Sequence, residues 1–319
     1  MEIEKIKEHI DDVLIETNFP NLGEKKIGKV RDIYIAPDHI TLISTDRHSS
    51  FDRNIAYIPF KGEVLNQISL FWFDKTKDII PNHVLSTPDP NVLVAKKCKL
   101  IPVEGVVRGY LTGVTDTSIW TRYSKGERTF GGITLPDEMK KNQKLPQAIF
   151  DPTTKEEKHD RTLTVDQMIA EGFITKEMFE KIKASALALF ARGQEIALEQ
   201  GLILVDTKYE FGLDVDNILT LIDEIHTPDS SRYWKAVTYD ERFNDGLEPE
   251  YFDKEFLRLW FKDNCDPYKD AVIPKAPTHL VAELSRRYIE IYETITGKSF
   301  NHDFSQSIIN RITNNLKKL

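Results

Sequence analysis

Gly201-Leu202-Ile203-Leu204-Val205-Asp206-Thr207-Lys208-Tyr209-Glu210-Phe211-Gly212, followed by Leu221-Ile222-Asp223-Glu224, is the stretch on which the fold and the chemistry turn. An apolar run rich in β-branched residues reads as a buried strand. It ends in Asp-x-Lys-x-Glu, and a second apolar run ends in Asp-Glu. Several carboxylates and one ammonium therefore reach one edge of a sheet. A divalent cation on a nucleotide phosphate needs carboxylate oxygens at short range, and the phosphate needs a cation. A salt-bridged hairpin end in solvent would use the same residues, so this stretch alone leaves both readings open.

Upstream, Thr175 caps a long helix from Lys176 to Gln200 that Gly201 stops. Thr164-Val165-Asp166-Gln167 has capping-box form and opens a short helix. Before it lies a polar stretch from Tyr123 to Asp160 with Gly131-Gly132, Pro136, Pro146 and Pro152, which reads as a functional loop region. The chain opens on an amphipathic helix through Ile3, Ile6, Ile10 and Val13-Leu14. Lys25 to Tyr34 and His39 to Thr45 read as strands about the Pro37-Asp38 turn. A helix over Glu63 to Lys77 follows, then short strands at Val92 to Ala95 and Leu100 to Val107. Phe252 to Phe261 and His279 to Thr294 read as closing helices. Hairpins mix with helices rather than alternating with them, which predicts an α+β fold and not a doubly wound parallel sheet. There is no Gly-x-Gly-x-x-Gly and no Walker-type phosphate loop.

The chain has 319 residues and a net charge of -8, with 40% hydrophobic residues. That is enough apolar material for a large core. The acidic balance argues against nonspecific nucleic-acid binding, while allowing a local basic pocket for a phosphorylated metabolite. The two cysteines, Cys98 and Cys265, form neither a metal-ligand pair by spacing nor a disulfide framework, which points to a reducing, cytoplasmic setting. No apolar run approaches a membrane span, and the first ten residues lack the core of a signal peptide.

Several short motifs carry polar chemistry. Gly28-Lys29-Val30-Arg31 reads as part of a strand, with Lys29 and Arg31 on one face and Gly28 open to close approach by a ligand. By itself the short motif favours a plain solvated strand face. Asp46-Arg47-His48-Ser49-Ser50-Phe51-Asp52-Arg53 places dense polarity at a strand end, as a binding loop or an ordinary charged turn. Lys61-Gly62 precedes a helix start, where backbone N–H groups can hold an anion; a plain helix-entry turn fits it equally. Glu104 and Arg108 share a face of an apolar strand and need partners, either each other or a phosphate or carboxylate. His159-Asp160 could orient a general base, but with no nucleophile motif beside it the pair reads rather as a polar substrate contact or a loop anchor. Thr227-Pro228-Asp229-Ser230-Ser231-Arg232-Tyr233-Trp234 offers hydroxyls and one Arg just after Asp223-Glu224.

Taken in order, these pieces resemble the SAICAR synthetase family. They are Gly28 to Tyr34, Thr45-Asp46-Arg47 with Ser49, Phe51 and Asp52, Lys61-Gly62 with Leu65-Asn66, Pro102 to Tyr110, His159-Asp160, Gly201 to Gly212, and Asp223 through Trp234. The resemblance implies a two-lobed fold with an ATP cleft between lobes. An N-terminal ATP-binding lobe over 1–102 would carry the phosphate-facing hairpin. A C-terminal lobe over 103–319 would carry the metal and substrate site and the closing helices. It implies an ATP-dependent ligase of purine biosynthesis that joins L-aspartate to the carboxylate of phosphoribosyl-aminoimidazole carboxylate. By position, Gly28, Lys29 and Arg31 would meet the ATP phosphates, and Leu100 and Pro102 would lie in an adenine-holding hinge. Glu210 and Asp223 would hold Mg²⁺, with Lys208 near the nucleotide. Arg108 and Arg232 would bind the phosphoribosyl substrate, with Asp46, Ser49, Lys61, Glu104, His159, Asp160 and Ser231 completing that site or the aspartate site. Two positions depart from the family pattern. Val114 replaces the usual Ser, leaving Thr115 as the hydroxyl, and Asp151 replaces the usual Thr. Inositol-phosphate kinases share an Asp-x-Lys strand but need a more basic pocket. A nucleotide-binding regulator would have no need to keep Lys29, Glu210 and Asp223. The sequence leaves the oligomeric state open.

Overall fold

In a computed structural model, the structure describes residues 1–154, 165–252 and 255–318. Packing divides them into two compact units. The first comprises residues 1–71, 83–97 and 252–319; the second comprises residues 72–82 and 98–251. The expected division fell at residue 103 and kept the closing helices with the second lobe, whereas here the chain after residue 252 packs with the first unit. The physical reason is a buried charge network. Arg311, in the helix Ile308–Leu316, donates to Glu63 Oε2 at 3.0 Å, Asp89 Oδ2 at 3.1 Å and Asn91 Oδ1 at 2.5 Å. Ile308 and Ile312 add apolar contact with Tyr34, Ile43 and Val92.

The first unit is built on an antiparallel sheet ordered Glu24–Ile27, Arg31–Ile35, His39–Ser44, Val92–Lys96, Val84–Asp89. Here the structure corrects one expectation. Residues 25–34 are not one strand but two, and Gly28 to Val30 form the turn between them, closed by Gly28 N–H donating to Arg31 O at 2.8 Å. Lys29 therefore sits at a hairpin tip, not beside Arg31 on a strand face. Arg47 stabilises this turn, donating to Gly28 O at 3.0 Å, Lys29 O at 3.2 Å and the buried Asp32 Oδ1 at 2.9 Å. The polar run after Asp46 is also a hairpin, Arg47–Ser50 with Arg53–Tyr57. Its two turn residues, Phe51 and Asp52, both take positive φ (55° and 56°), as the tight primed hairpin turns require.

The second unit centres on the long strands Lys99–Tyr110 and Leu202–Leu213, which pair antiparallel. Lys144–Phe150 and Thr153–Thr154 border the first of these; Leu219–Ile222 and Ser231–Lys235 border the second. The helix Lys176–Glu199 lies on this sheet. Thr175 Oγ1 accepts from Met178 N–H at its start, and Gly201 follows its end at φ 74°. Close approach explains Gly193: a Cβ there would sit 2.4 Å from the His226 ring. The polar stretch from Tyr123 is more ordered than its composition implied. Gly131-Gly132 turns a small hairpin, and Tyr123, Phe130, Leu135, Met139 and Ile149 pack into a core of their own. The turn needs both glycines, whereas the flanking apolar residues are spaced too irregularly to announce a core.

Candidate functional site

The alternation of a strand decides which side chains meet. Asp206, Lys208 and Glu210 occupy every second position of Leu202–Leu213 and so share a face. Register then places Arg108 and Arg232 opposite Asp206 on the two neighbouring strands, giving a row Arg108, Asp206, Arg232. Four residues along, Glu104 stands opposite Glu210. Glu104, Arg108, Asp206, Lys208 and Arg232 wall a cavity of about 290 Å³, completed by Thr117, Thr153 and Ser230.

Inside it, Lys208 Nζ donates to Glu104 Oε1 at 2.9 Å and Glu210 Oε1 at 2.6 Å. Burial works against charging Lys208, but the carboxylates of Glu210, Glu104 and Asp223 outweigh it and raise its pKa above the ordinary lysine value. Lys208 is thus a permanent cation near neutral pH. Arg232 Nη1 lies 3.2 Å from Asp206 Oδ2, and Arg108 Nε donates to Asp151 Oδ2 at 2.8 Å. Three cations thus stand among the carboxylates of Glu104, Glu210, Asp206 and Asp151, a charged site rather than an apolar pocket, in which two guanidiniums can offer planar N–H edges to an anion.

The loop bearing Asp223 is held under strain. Asp223 and His226, neither of them glycine, take φ of 68° and 50°, a conformation that costs roughly 1–3 kcal/mol each and persists only where the surroundings enforce it. They do so here. Tyr233 Oη donates to His226 O at 2.7 Å, Thr227 Oγ1 donates to Glu224 Oε2 at 2.6 Å, and Tyr209 Oη lies 2.5 Å from His226 Nε2. Burial pushes the His226 pKa down to about 3, so its ring is neutral.

The other expected residues fall as follows. Ser231 bonds Thr207 Oγ1 at 2.7 Å, and Ser230 takes the cavity wall. Thr115 is exposed, 3.5 Å from Thr117 Oγ1, and Thr117 lines the cavity. Leu100 and Pro102 line a second cavity of about 670 Å³ with Ile101, Phe173, Met178 and Leu213. His159 and Asp160 lie outside the described residues. In the first unit, Lys29 Nζ lies 3.2 Å from Asp52 Oδ1 in solvent, Arg31 opens a strand and Ser49 lies on the following hairpin. Lys61 is fully buried, 5.7 Å over the Tyr288 ring. Asp46 is also fully buried, and its two oxygens accept from Leu14 N–H (2.7 Å) and Gly62 N–H (2.9 Å). Desolvation drives its pKa up to about 6 against those hydrogen bonds and the nearby Lys61. Asp46 thus works on the backbone. Sequence reasoning passed over Asp206, which its spacing from Lys208 already placed on the shared face, and Thr117 and Thr153, for which the sequence holds no signal.

The chain matches the SAICAR synthetase family over residues 24–275 and belongs to that family. Its reaction is the ATP-dependent ligation of aspartate in purine biosynthesis. A phosphoribosylaminoimidazole-succinocarboxamide synthase of Legionella pneumophila (strain Paris) is 54% identical over 306 residues, 96% of this chain and 98% of that protein. SAICAR-synthase from Saccharomyces cerevisiae, solved with SAICAR, is 30% identical, with a TM-score of 0.76 over 91% of this chain and all of that one. A SAICAR synthetase solved with ADP is 25% identical, with a TM-score of 0.66 over 88% of this chain and all of that one.

Proposed function

We propose that the cavity around Lys208 is where phosphoribosyl-aminoimidazole carboxylate is bound and its carboxylate activated. The observation that carries this reading is the row Arg108, Asp206, Arg232 beside a lysine that bridges two buried glutamates. Arg108 and Arg232 bind the anionic groups of that substrate through planar N–H edges. Glu104 and Ser230 complete the wall. Lys208, a fixed cation and not a base, neutralises phosphate charge as it moves from ATP to the substrate.

The chemistry follows from the carboxylate being a poor acyl donor. Its oxygen attacks the γ-phosphorus of ATP, ADP leaves, and an acyl phosphate results. The aspartate amine then attacks the acyl carbon, phosphate leaves with the former carboxylate oxygen, and the amine loses a proton to complete the amide. The protein's work is positioning and charge stabilisation.

The adenine of ATP is assigned to the segment with Leu100 and Pro102. Two features support the adenine assignment. The cavity at Leu100 to Pro102 is largely apolar-walled. Residues 99–102 pair with Leu202–Leu213 on one edge, and among the described residues no strand pairs their other edge, so backbone donors and acceptors there can serve a ring. For Mg²⁺, no group of three or more His, Cys, Asp or Glu among the described residues is placed to hold a metal ion by itself. Mg²⁺ bound with a nucleotide takes one or two carboxylates and fills its remaining positions with water and phosphate oxygens, and Glu210 with Asp223 fits that demand. When bound, the ion would offset charge on the ATP phosphates. Asp46 acts through the backbone it holds, Lys61 is fully buried and so serves the packing of the fold rather than a substrate contact, and Ser49, His159 and Asp160 are assigned to the remaining substrate contacts. A cytoplasmic location agrees with two cysteines outside any disulfide.

The test is ADP release in the presence of Mg²⁺ and phosphoribosyl-aminoimidazole carboxylate, with and without L-aspartate. Sustained release only with aspartate, with the succinocarboxamide formed, is the expected result. Sustained release without either co-substrate would instead fit a kinase or a nucleotide hydrolase.

A further inference from the structure

Asp151 bears a carboxylate that the reaction itself does not use. It follows the strand Lys144–Phe150, and its N–H donates to Val106 O at 2.8 Å, which seats it beside the strand carrying Arg108. The side chain is buried. One oxygen accepts from Arg108 Nε at 2.8 Å and from Arg122 Nη1 at 2.9 Å, and the other accepts from Arg122 Nη1 at 3.2 Å. Arg122 belongs to the short helix Ile119–Ser124 and lies 4.8 Å over the Phe130 ring. Arg108 Nη2 donates to Thr117 O at 3.3 Å, in the segment leading into that helix. One carboxylate thereby ties Arg108 to the cavity wall. Gly113 lets the same segment fold tightly, since a Cβ there would meet Ser118 Cβ at 2.4 Å; it would also lie 3.7 Å from Arg232 Nη1. Residues 113–118 so run past both arginines.

A guanidinium presents its donors in one rigid plane. With Nε on Asp151 and Nη2 on Thr117 O, that plane is set, and among the described residues Nη1 has no hydrogen-bond partner, leaving it for a ligand oxygen in the cavity. The competing partner is Asp206, directly across the sheet from Arg108 and already close to Arg232. Without Asp151, Arg108 would swing to Asp206 and withdraw from the ligand.

We propose that Asp151 is the positioning residue that holds Arg108 in its anion-binding orientation, a role that rests on Arg108 binding the phosphoribosyl substrate. The experiment measures the Kd of phosphoribosyl-aminoimidazole carboxylate by calorimetry, with KM and kcat from ADP release, for Asp151→Asn, Arg108→Ala and the double variant. Asp151→Asn should raise Kd and KM for this substrate about tenfold, the order of one charge-assisted hydrogen bond. It should leave kcat and the KM for ATP and aspartate within about twofold. In the Arg108→Ala background it should add nothing. An unchanged Kd in Asp151→Asn, with Arg108→Ala weakened, overturns the positioning role alone. So does a full additional loss in the double variant. An unchanged Kd in Arg108→Ala overturns the underlying reading of Arg108 and the proposal with it. Should Asp151→Asn not fold, Asp151→Ser replaces it in the same comparison.

Discussion

Lys208→Met removes one charge and keeps most of the aliphatic stem. In the native protein the ammonium sits between Glu104 and Glu210, at 2.9 Å and 2.6 Å, and those glutamates oppose each other on adjacent strands. Both are buried, while the Lys208 side chain is one-third exposed. Charge-assisted hydrogen bonds contribute roughly 1.5–3 kcal/mol each. Breaking a fully buried ion pair costs about 3–5 kcal/mol. Water at the exposed third of the ammonium screens the pair, so about 2–3 kcal/mol is the expected loss near neutral pH. At about 2–4 °C per kcal/mol for a unit of this size, the thermal midpoint should fall by about 4–12 °C. The loss also has a pH signature. The Lys208 pKa is raised in the fold. A base of that kind contributes fully below its unfolded pKa and loses its contribution only as the pH climbs through the higher folded value. The native contribution is therefore level from mildly acidic to mildly basic pH. In the variant, protonating either glutamate relieves their repulsion, so the gap between the two proteins should narrow as the pH falls through the carboxylate range. Thermal melts followed by circular dichroism across that pH series read both effects. A variant melting with the native protein at every pH, or a gap that widens in acid, refutes the charge-bridging role of Lys208.

Other predictions follow from the same geometry. Asp46, with its pKa raised to about 6, binds its proton more tightly folded than unfolded. Its contribution is greatest below the unfolded value and is lost as the pH rises through about 6; the stability of the native protein relative to Asp46→Asn should therefore fall over that window, and a rise would contradict it. Arg311→Met, which strips the buried cation from Glu63 and Asp89, should cost about 3–5 kcal/mol, read as a lowered urea midpoint; a midpoint unchanged within error counts against the network. Arg232→Ala should raise KM for the phosphoribosyl substrate by about tenfold or more, with KM for ATP little changed, and equal changes in both would remove Arg232 from the substrate site. Asp223→Asn should abolish ADP release while calorimetry still detects the phosphoribosyl substrate; normal turnover would end the assignment of Asp223 to the metal.

How much of this was legible beforehand depends on range along the chain. The helix Lys176–Glu199 was readable because Thr175 and Gly201 punctuate it locally. The site face was readable because period two puts Asp206, Lys208 and Glu210 together, and pairing with Glu104 and Arg108 needed only the correct strand partner. Turn chemistry was less clear. Gly28 read as an opening for a ligand, when it closes a hairpin turn, and Phe51 and Asp52 adopt positive φ without the Gly or Asn that normally signals it. Long-range pairing was invisible: neither the attachment of Arg311 to Glu63 nor that of Asp151 to Arg108 and Arg122 has any local pattern.

The most direct test of carboxylate activation is isotopic. With phosphoribosyl-aminoimidazole carboxylate labelled with ¹⁸O in its carboxylate, turnover with ATP and L-aspartate should deliver one labelled oxygen into the inorganic phosphate, because the acyl phosphate breaks at the acyl carbon. Unlabelled phosphate formed alongside ADP and the succinocarboxamide would contradict activation by phosphoryl transfer.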